Sequence, residues 1–228
     1  MKSLKKALKK TQLGKLVKRM LRGTSAPKPF SNSGSYWEER YKANDDSGAG
    51  SYGRLADFKA KILNDFVAKN HIDTVIEYGS GDGNQLTLAT YPFYKGFDVS
   101  ATALKLCKNR FKGDASKEFY AMSDASQSDA KASLTLSLDV LYHLVEDAVF
   151  DSYMERLFTS STQYVIIYSS NYDDHFAPHV KSREFTKWVD ANVTQSWELK
   201  EHIKNKYPFD PKDPDNTSMA DFYIYQRK

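Results

Sequence analysis

The sequence predicts an α/β fold, a doubly wound and mostly parallel sheet that ends in an antiparallel hairpin, and three observations carry that reading. Short apolar runs alternate with amphipathic helical stretches through the middle of the 228-residue chain, the pattern of a parallel sheet covered by helices on both faces. A glycine elbow, Gly79, Gly81 and Gly83 in "IEYGSGDGN", follows the first of those runs. Near the C-terminus, the strand-like segments "SWELKEHIKN" and "MADFYIYQRK" are joined by the Pro-rich turn "YPFDPKDPDN" and not by a helix, so they should pair antiparallel.

The elements follow in order. "YWEERYK" reads as a short helix and "NDDSGAGSYG" as a loop. From Tyr52 to Asn70, Leu55, Phe58, Ile62, Leu63, Phe66 and Val67 keep a helical period. Then come strand "DTVIEYG", a helix from about Gln85, strand "YKGFDVS", a helix through "ATALKLCKNRF", strands "KEFYAMSD" and "ASLTLSLD", a helix through "EDAVFDSYMERLF" and strand "QYVIIYSS".

Charge divides the chain. Residues 1–22 hold nine Lys and Arg and no acid, which leaves 24 basic against 29 acidic residues in the remainder. Leu4, Leu8, Leu16, Val17, Met20 and Leu21 recur at roughly helical spacing beside those cations, the pattern of an interfacial helix. Its lysines exclude a secretory signal and a membrane span. Three readings stay open for this segment: an anionic membrane surface first, a nucleic-acid or partner contact, and a solvated extension. The expected organisation is therefore a basic amphipathic segment 1–22, a linker 23–34 rich in Ser, Pro and Gly, and a domain 35–228. The single cysteine, Cys107, excludes an intramolecular disulfide and a cysteine-only zinc site. Leu104 and Phe111 share its helical face, so a buried inert thiol is expected.

In such sheets ligands sit outside the carboxyl ends of the strands. Those ends carry Glu77 with the elbow, Asp98, Asp124, and Asp139 with His143. Asp98 lies nineteen residues beyond Gly79, where a carboxylate can take both hydroxyls of a ribose. A dinucleotide fingerprint requires G-x-G-x-x-G, but here the third glycine arrives one residue early and Asn84 stands in its place.

The elbow instead resembles the first motif, E-x-G-x-G-x-G, of the class I methyltransferases that use S-adenosylmethionine, matched by Glu77, Gly79, Gly81 and Gly83. "GFDVS" is similar to their ribose-binding motif, "SDAS" stands in the place of the adenine-side acid, and "LDVLYHL" is similar to their fourth-strand motif. The resemblance runs from about Tyr36 to Lys228 and implies a Rossmann-like sheet with S-adenosylmethionine as cofactor. It implies that Glu77, Gly79, Ser80 and Gly81 hold the amino-acid end, Asp98, Val99 and Ser100 the ribose, and Ser123 and Asp124 the adenine edge. Asp139 and Val140 would face the ammonium or the methyl. Asp124 and Asp139 have a simpler reading as caps of the turns that follow them.

Tyr36, Trp37, Tyr52 and Arg54 precede the core, where related enzymes place a segment that closes over the cofactor; Arg54 can pair there with a carboxylate. The competing reading has Arg54 exposed and Tyr36 and Trp37 in the core. His143 is the candidate general base for a hydroxyl acceptor. In "NYDDHFAPHVKSR", His175, His179 and Arg183 are candidates for acceptor binding, with a polar surface loop as the alternative. No metal is expected, because Pro178 breaks the helix that would align His175 with His179. The reading is an O-methyltransferase of a small molecule, glycan or lipid-linked glycan precursor, cytoplasmic, and at the inner face of the membrane where residues 1–22 bind it. Its rivals are a nucleic-acid or protein methyltransferase and a nicotinamide-dependent oxidoreductase.

Overall fold

The computed structural model describes residues 30–228; the basic segment 1–22 and the linker up to residue 29 lie outside the described residues. Helix α1, Ser33–Lys42, starts two residues before the expected domain boundary, because Asn32 caps it by accepting from Ser35 N at 2.8 Å. Helix α2, Gly53–Lys69, buries Leu55, Leu63, Phe66 and Val67 on one face. Strands β1 (Thr74–Tyr78), β2 (Phe93–Asp98), β3 (Lys117–Ala121), β4 (Ala132–Leu138) and β5 (Ser161–Ser169) are all parallel. Helices α3, Ala101–Arg110, and α4, Asp147–Thr159, connect β2 to β3 and β4 to β5.

A two-stranded hairpin, β6 (Asp174–Ala177) and β7 (Val180–Ser182), stands where an acceptor-binding loop was expected after β5 and precedes helix α5, Phe185–Asn192. Strands β8 (Trp197–Ile203) and β9 (Asp221–Arg227) form the predicted antiparallel pair, and β9 lies antiparallel to β5. The order of the seven-stranded sheet is β3-β2-β1-β4-β5-β9-β8. Strand order reverses between β1 and β4, which opens a crevice at their carboxyl ends.

The helix expected from Gln85 is a single 3-10 turn, Gln85–Leu88. Thr87 turns its hydroxyl back to Asn84 O at 2.7 Å, and Pro92 restricts Tyr91 to extended backbone, so no further helical turn forms.

Period-2 alternation sorts the strands between two cores. Val75, Leu134, Leu136, Ile166 and Ile224 face α2 and α3, whereas Ile76, Val165, Ile167 and Tyr225 face α4 and α5. Cys107 is fully buried in the first core, and burial pushes its thiol up to about 12, which leaves it inert at neutral pH.

Candidate functional site

A cavity of about 520 Å3 lies at the carboxyl ends of β1, β2 and β4, covered by α1 and the segment between α1 and α2. Of the residues singled out by sequence, Glu77, Gly79, Ser80, Gly81, Asp98, Val99, Asp139, Val140 and His143 line it.

The elbow owes its glycines to backbone shape and to packing by the protein itself. Gly79 has φ +89, and a Cβ there would meet Val140 Cγ2 at 2.4 Å. Gly81 has φ +57, and the atoms closest to its missing Cβ belong to Ser47 and Tyr41 of the covering segment. Every elbow amide is committed inside the protein. Gly79 N and Ser80 N donate to Phe97 O, Gly81 N to Asp98 Oδ2, Asp82 N to Ser47 Oγ, Gly83 N to Ser80 O and Asn84 N to Asp82 Oδ1.

Two buried carboxyl groups flank the elbow. Glu77, at 5% exposure, accepts from Tyr94 OH at 2.7 Å, and burial raises it to about 7. Asp98, at 6%, accepts from Ser100 N at 2.8 Å and Gly81 N at 2.9 Å, and burial raises it to about 6 despite those bonds. Each carboxylate oxygen has a second lone pair for a ligand hydroxyl or ammonium.

Asp139 takes φ +60, and its carboxylate is held from two sides. Lys59 Nζ lies 2.6 Å from Oδ2, and Tyr142 OH donates to Oδ1 at 2.8 Å. Lys59 is only 1% exposed, lines the cavity, and stands over the Tyr168 ring. A lysine four residues after Leu55 and four before Leu63 falls on the apolar face of α2, and that misplaced cation was the signal available in the sequence.

His143 lies edge-on to Trp37, with Nδ1 3.2 Å from the carbonyl oxygen of His179. A carbonyl only accepts, so Nδ1 carries the proton and Nε2 keeps a lone pair. Burial lowers His143 to about 4, so it is neutral at physiological pH.

Several expected site residues stand elsewhere. Arg54 turns away from the cavity: Nε donates to Asn216 O at 2.6 Å and Nη2 meets Asp213 at 3.2 Å, above the Tyr207 ring. Ser100 is fully buried as the N-cap of α3, with its hydroxyl on Glu38 at 2.6 Å. Asp124 caps the next turn through Ser126, the simpler of its two readings, and Ser123 is exposed. The cavity wall at this point comes from Met122, whose carbonyl accepts from Arg156 Nη1 at 2.6 Å. Tyr36 stacks on His179 outside the cavity, leaving Trp37 and Tyr41 as the α1 aromatics that line it. Arg183 clamps the turn before α4, donating to Leu144 O and Val145 O and pairing with Asp147, and His175 is exposed on β6. None of the three proposed acceptor contacts lines the cavity: the His179 backbone touches it through His143 and Arg183 through the Leu144 carbonyl, each from behind the wall.

Asp82, a residue sequence reading passed over, fastens the covering segment. It accepts from Tyr52 OH at 2.6 Å and from Ser47 N at 3.4 Å. Among the described residues no group of three or more His, Cys, Asp and Glu gathers that could hold a metal ion.

The fold is shared with solved methyltransferases. The N-methyltransferase NodS from Bradyrhizobium japonicum, solved with S-adenosylhomocysteine, superposes with a TM-score of 0.64 over 87% of this chain and 99% of its own, at 16% identity. Magnesium protoporphyrin IX methyltransferase from Synechocystis, solved with S-adenosylmethionine, gives 0.63 over 89% of this chain and 100% of its own, at 12% identity. The chain has the class I methyltransferase fold. No family model matches its sequence, and no curated protein matches it by sequence.

Proposed function

We propose that the protein is an S-adenosylmethionine-dependent methyltransferase. The observation that carries this reading is the donor set: two buried carboxyl groups, Glu77 and Asp98, beside an elbow whose amides are all committed. Such a lining suits a ligand with an ammonium and ribose hydroxyls, and the side chains of Val99, Met122 and Val140 suit a flat base. It does not suit a pyrophosphate, which needs free amides at a helix N-terminus, and only the 3-10 turn Gln85–Leu88 follows the elbow. The nicotinamide alternative loses its phosphate site.

When bound, the cofactor supplies a methyl group on a sulfonium, a good leaving group, so positioning provides much of the rate. Glu77 would hold the ammonium and Asp98 the ribose hydroxyls. His143 would accept at Nε2 the proton of an acceptor hydroxyl, held in the required tautomer by the His179 carbonyl. Asp139 is already paired with Lys59 and hydrogen-bonded by Tyr142, which disfavours it as the ligand of an acceptor amine.

The acceptor class we propose is a small molecule, glycan or lipid-linked glycan precursor. The composition of residues 1–22 supports a place at the cytoplasmic face of an anionic membrane. The test is calorimetric titration of the wild-type protein and Asp98→Ala with S-adenosylmethionine, S-adenosylhomocysteine and a nicotinamide dinucleotide. Binding of the first two, lost in the variant, is expected; dinucleotide binding would overturn the reading.

A further inference from the structure

Resting on the methyltransferase reading, we infer that Lys59 bridges Asp139 and the carboxylate of the cofactor's amino-acid end, and so discriminates the complete cofactor from nucleosides that lack that end. The elbow cannot bind this carboxylate with its backbone, because all six amides from Gly79 to Asn84 donate elsewhere. Arg54 is committed to Asp213 and Asn216, outside the cavity. Arg156 lines the cavity with an unpartnered Nε, but it stands on the side of the wall assigned to the flat base, donating to Met122 O at 2.6 Å and lying over Phe97 at 5.0 Å.

Lys59 remains. It lies at 1% exposure on the cavity wall, where an ammonium keeps its charge only against a counter-ion, and Asp139 at 2.6 Å provides one. An ammonium has three N–H donors, and among the described residues Asp139 is its one hydrogen-bond partner. One side of the ammonium faces the Tyr168 ring, 5.2 Å from the centroid. A donor is therefore left for an incoming carboxylate without breaking the Asp139 pair. Glu77, also on the cavity wall, is placed to take the ammonium of the same amino-acid group. Lys59 and Glu77 together would read a zwitterion by its two opposite charges.

The test titrates the full chain with S-adenosylhomocysteine and with 5′-methylthioadenosine, which keeps the nucleoside and thioether but has no amino-acid end. The proteins are wild type, Lys59→Met, Lys59→Arg and the double variant Lys59→Met/Asp139→Asn, each checked for folding by thermal melting. Wild type is expected to prefer S-adenosylhomocysteine. Lys59→Met should weaken that ligand about 10- to 100-fold, the range of a lost charge-assisted hydrogen bond, and leave methylthioadenosine unchanged. Lys59→Arg should retain part of the preference. Should Lys59→Met unfold because Asp139 is left without a counter-ion, the double variant removes both charges and must show the same selective loss. Equal weakening of both ligands, or undiminished binding of S-adenosylhomocysteine, would overturn the role of Lys59. Failure of the wild-type protein to bind either ligand would overturn the methyltransferase reading on which it rests.

Discussion

Cofactor binding should release protons near neutral pH. Burial raises Glu77 to about 7 and Asp98 to about 6, so at pH 6.5 about three-quarters of the first and about a quarter of the second are protonated in the free protein. A bound ammonium at Glu77 and ribose hydroxyls donating to Asp98 both favour the charged carboxylate. If both groups return to the ordinary carboxylate range, about one proton leaves per cofactor at pH 6.5, and only about 0.1 at pH 8. The assay is calorimetry with S-adenosylhomocysteine in buffers of different ionisation enthalpy. The slope of apparent against buffer enthalpy gives the proton count. Affinity should rise with pH up to about 7, and Glu77→Gln should remove roughly three-quarters of the release at pH 6.5. Stability of the free protein runs the other way: both folded-state values lie above the unfolded ones, so the fold loses stability as pH rises from about 4 to 7. A release below about 0.2 proton at pH 6.5 would refute the claim that these carboxyl groups are held partly neutral until the ligand arrives.

Three other outcomes follow from named contacts. His143→Ala should lower kcat about 10²- to 10⁴-fold and leave S-adenosylhomocysteine affinity intact, and a wild-type pH–rate profile should show the His143 limb only near pH 4; an unchanged rate would remove the base. Gly79→Ala places a methyl 2.4 Å from Val140 at φ +89, which should cost about 2–5 kcal/mol in urea unfolding. Adding Val140→Ala should recover the steric part and not the backbone part. Arg54→Ala breaks an exposed ion pair, so it should change stability by less than about 1 kcal/mol and cofactor affinity not at all; a large loss of affinity would return Arg54 to the site.

The sheet was legible because short apolar runs set between helical periods record burial on both faces: in β1, Val75 enters one core and Ile76 and Tyr78 the other. The site was legible only in part. Asp98-Val99-Ser100 and Asp124-Ala125-Ser126 are the same local pattern, and both carboxylates accept from the serine amide two residues on, at 2.8 and 3.0 Å. What separates them is tertiary: Asp98 is buried against Gly81 N and lines the cavity, while Asp124 stays at a surface turn. The destination of a cation is equally long-range. Arg54 finds its partners some 160 residues away, at Asp213 and Asn216, and Lys59 finds Asp139 eighty residues on. No spacing rule encodes such meetings, although a lysine on an apolar helix face signals that one exists.

The cover over the cavity gains its meaning from where its fastenings end. Glu38 of α1 accepts from Ser100 Oγ at 2.6 Å and from Thr102 N and Oγ1, contacts that hold its carboxyl at about 2. Those residues open α3 directly after Asp98, the proposed ribose ligand. At the other end of α1, Ser33 donates to Glu146 from its amide at 2.9 Å and from its hydroxyl at 2.6 Å, three residues after the proposed base His143. Asp82 of the elbow secures the segment that follows, through Tyr52 and Ser47. The helix and the segment after it are thus fastened to the three loops that carry the elbow, the ribose acid and the base. These contacts hold together only while the three loops keep one mutual arrangement, so a ligand that favours that arrangement at one loop should strengthen the cover's contacts with the others. The same geometry makes the cover a positioning element as well as a barrier to water. Loosening it at Glu38 should therefore weaken cofactor binding through the Asp98 loop while the His143–His179 contact persists.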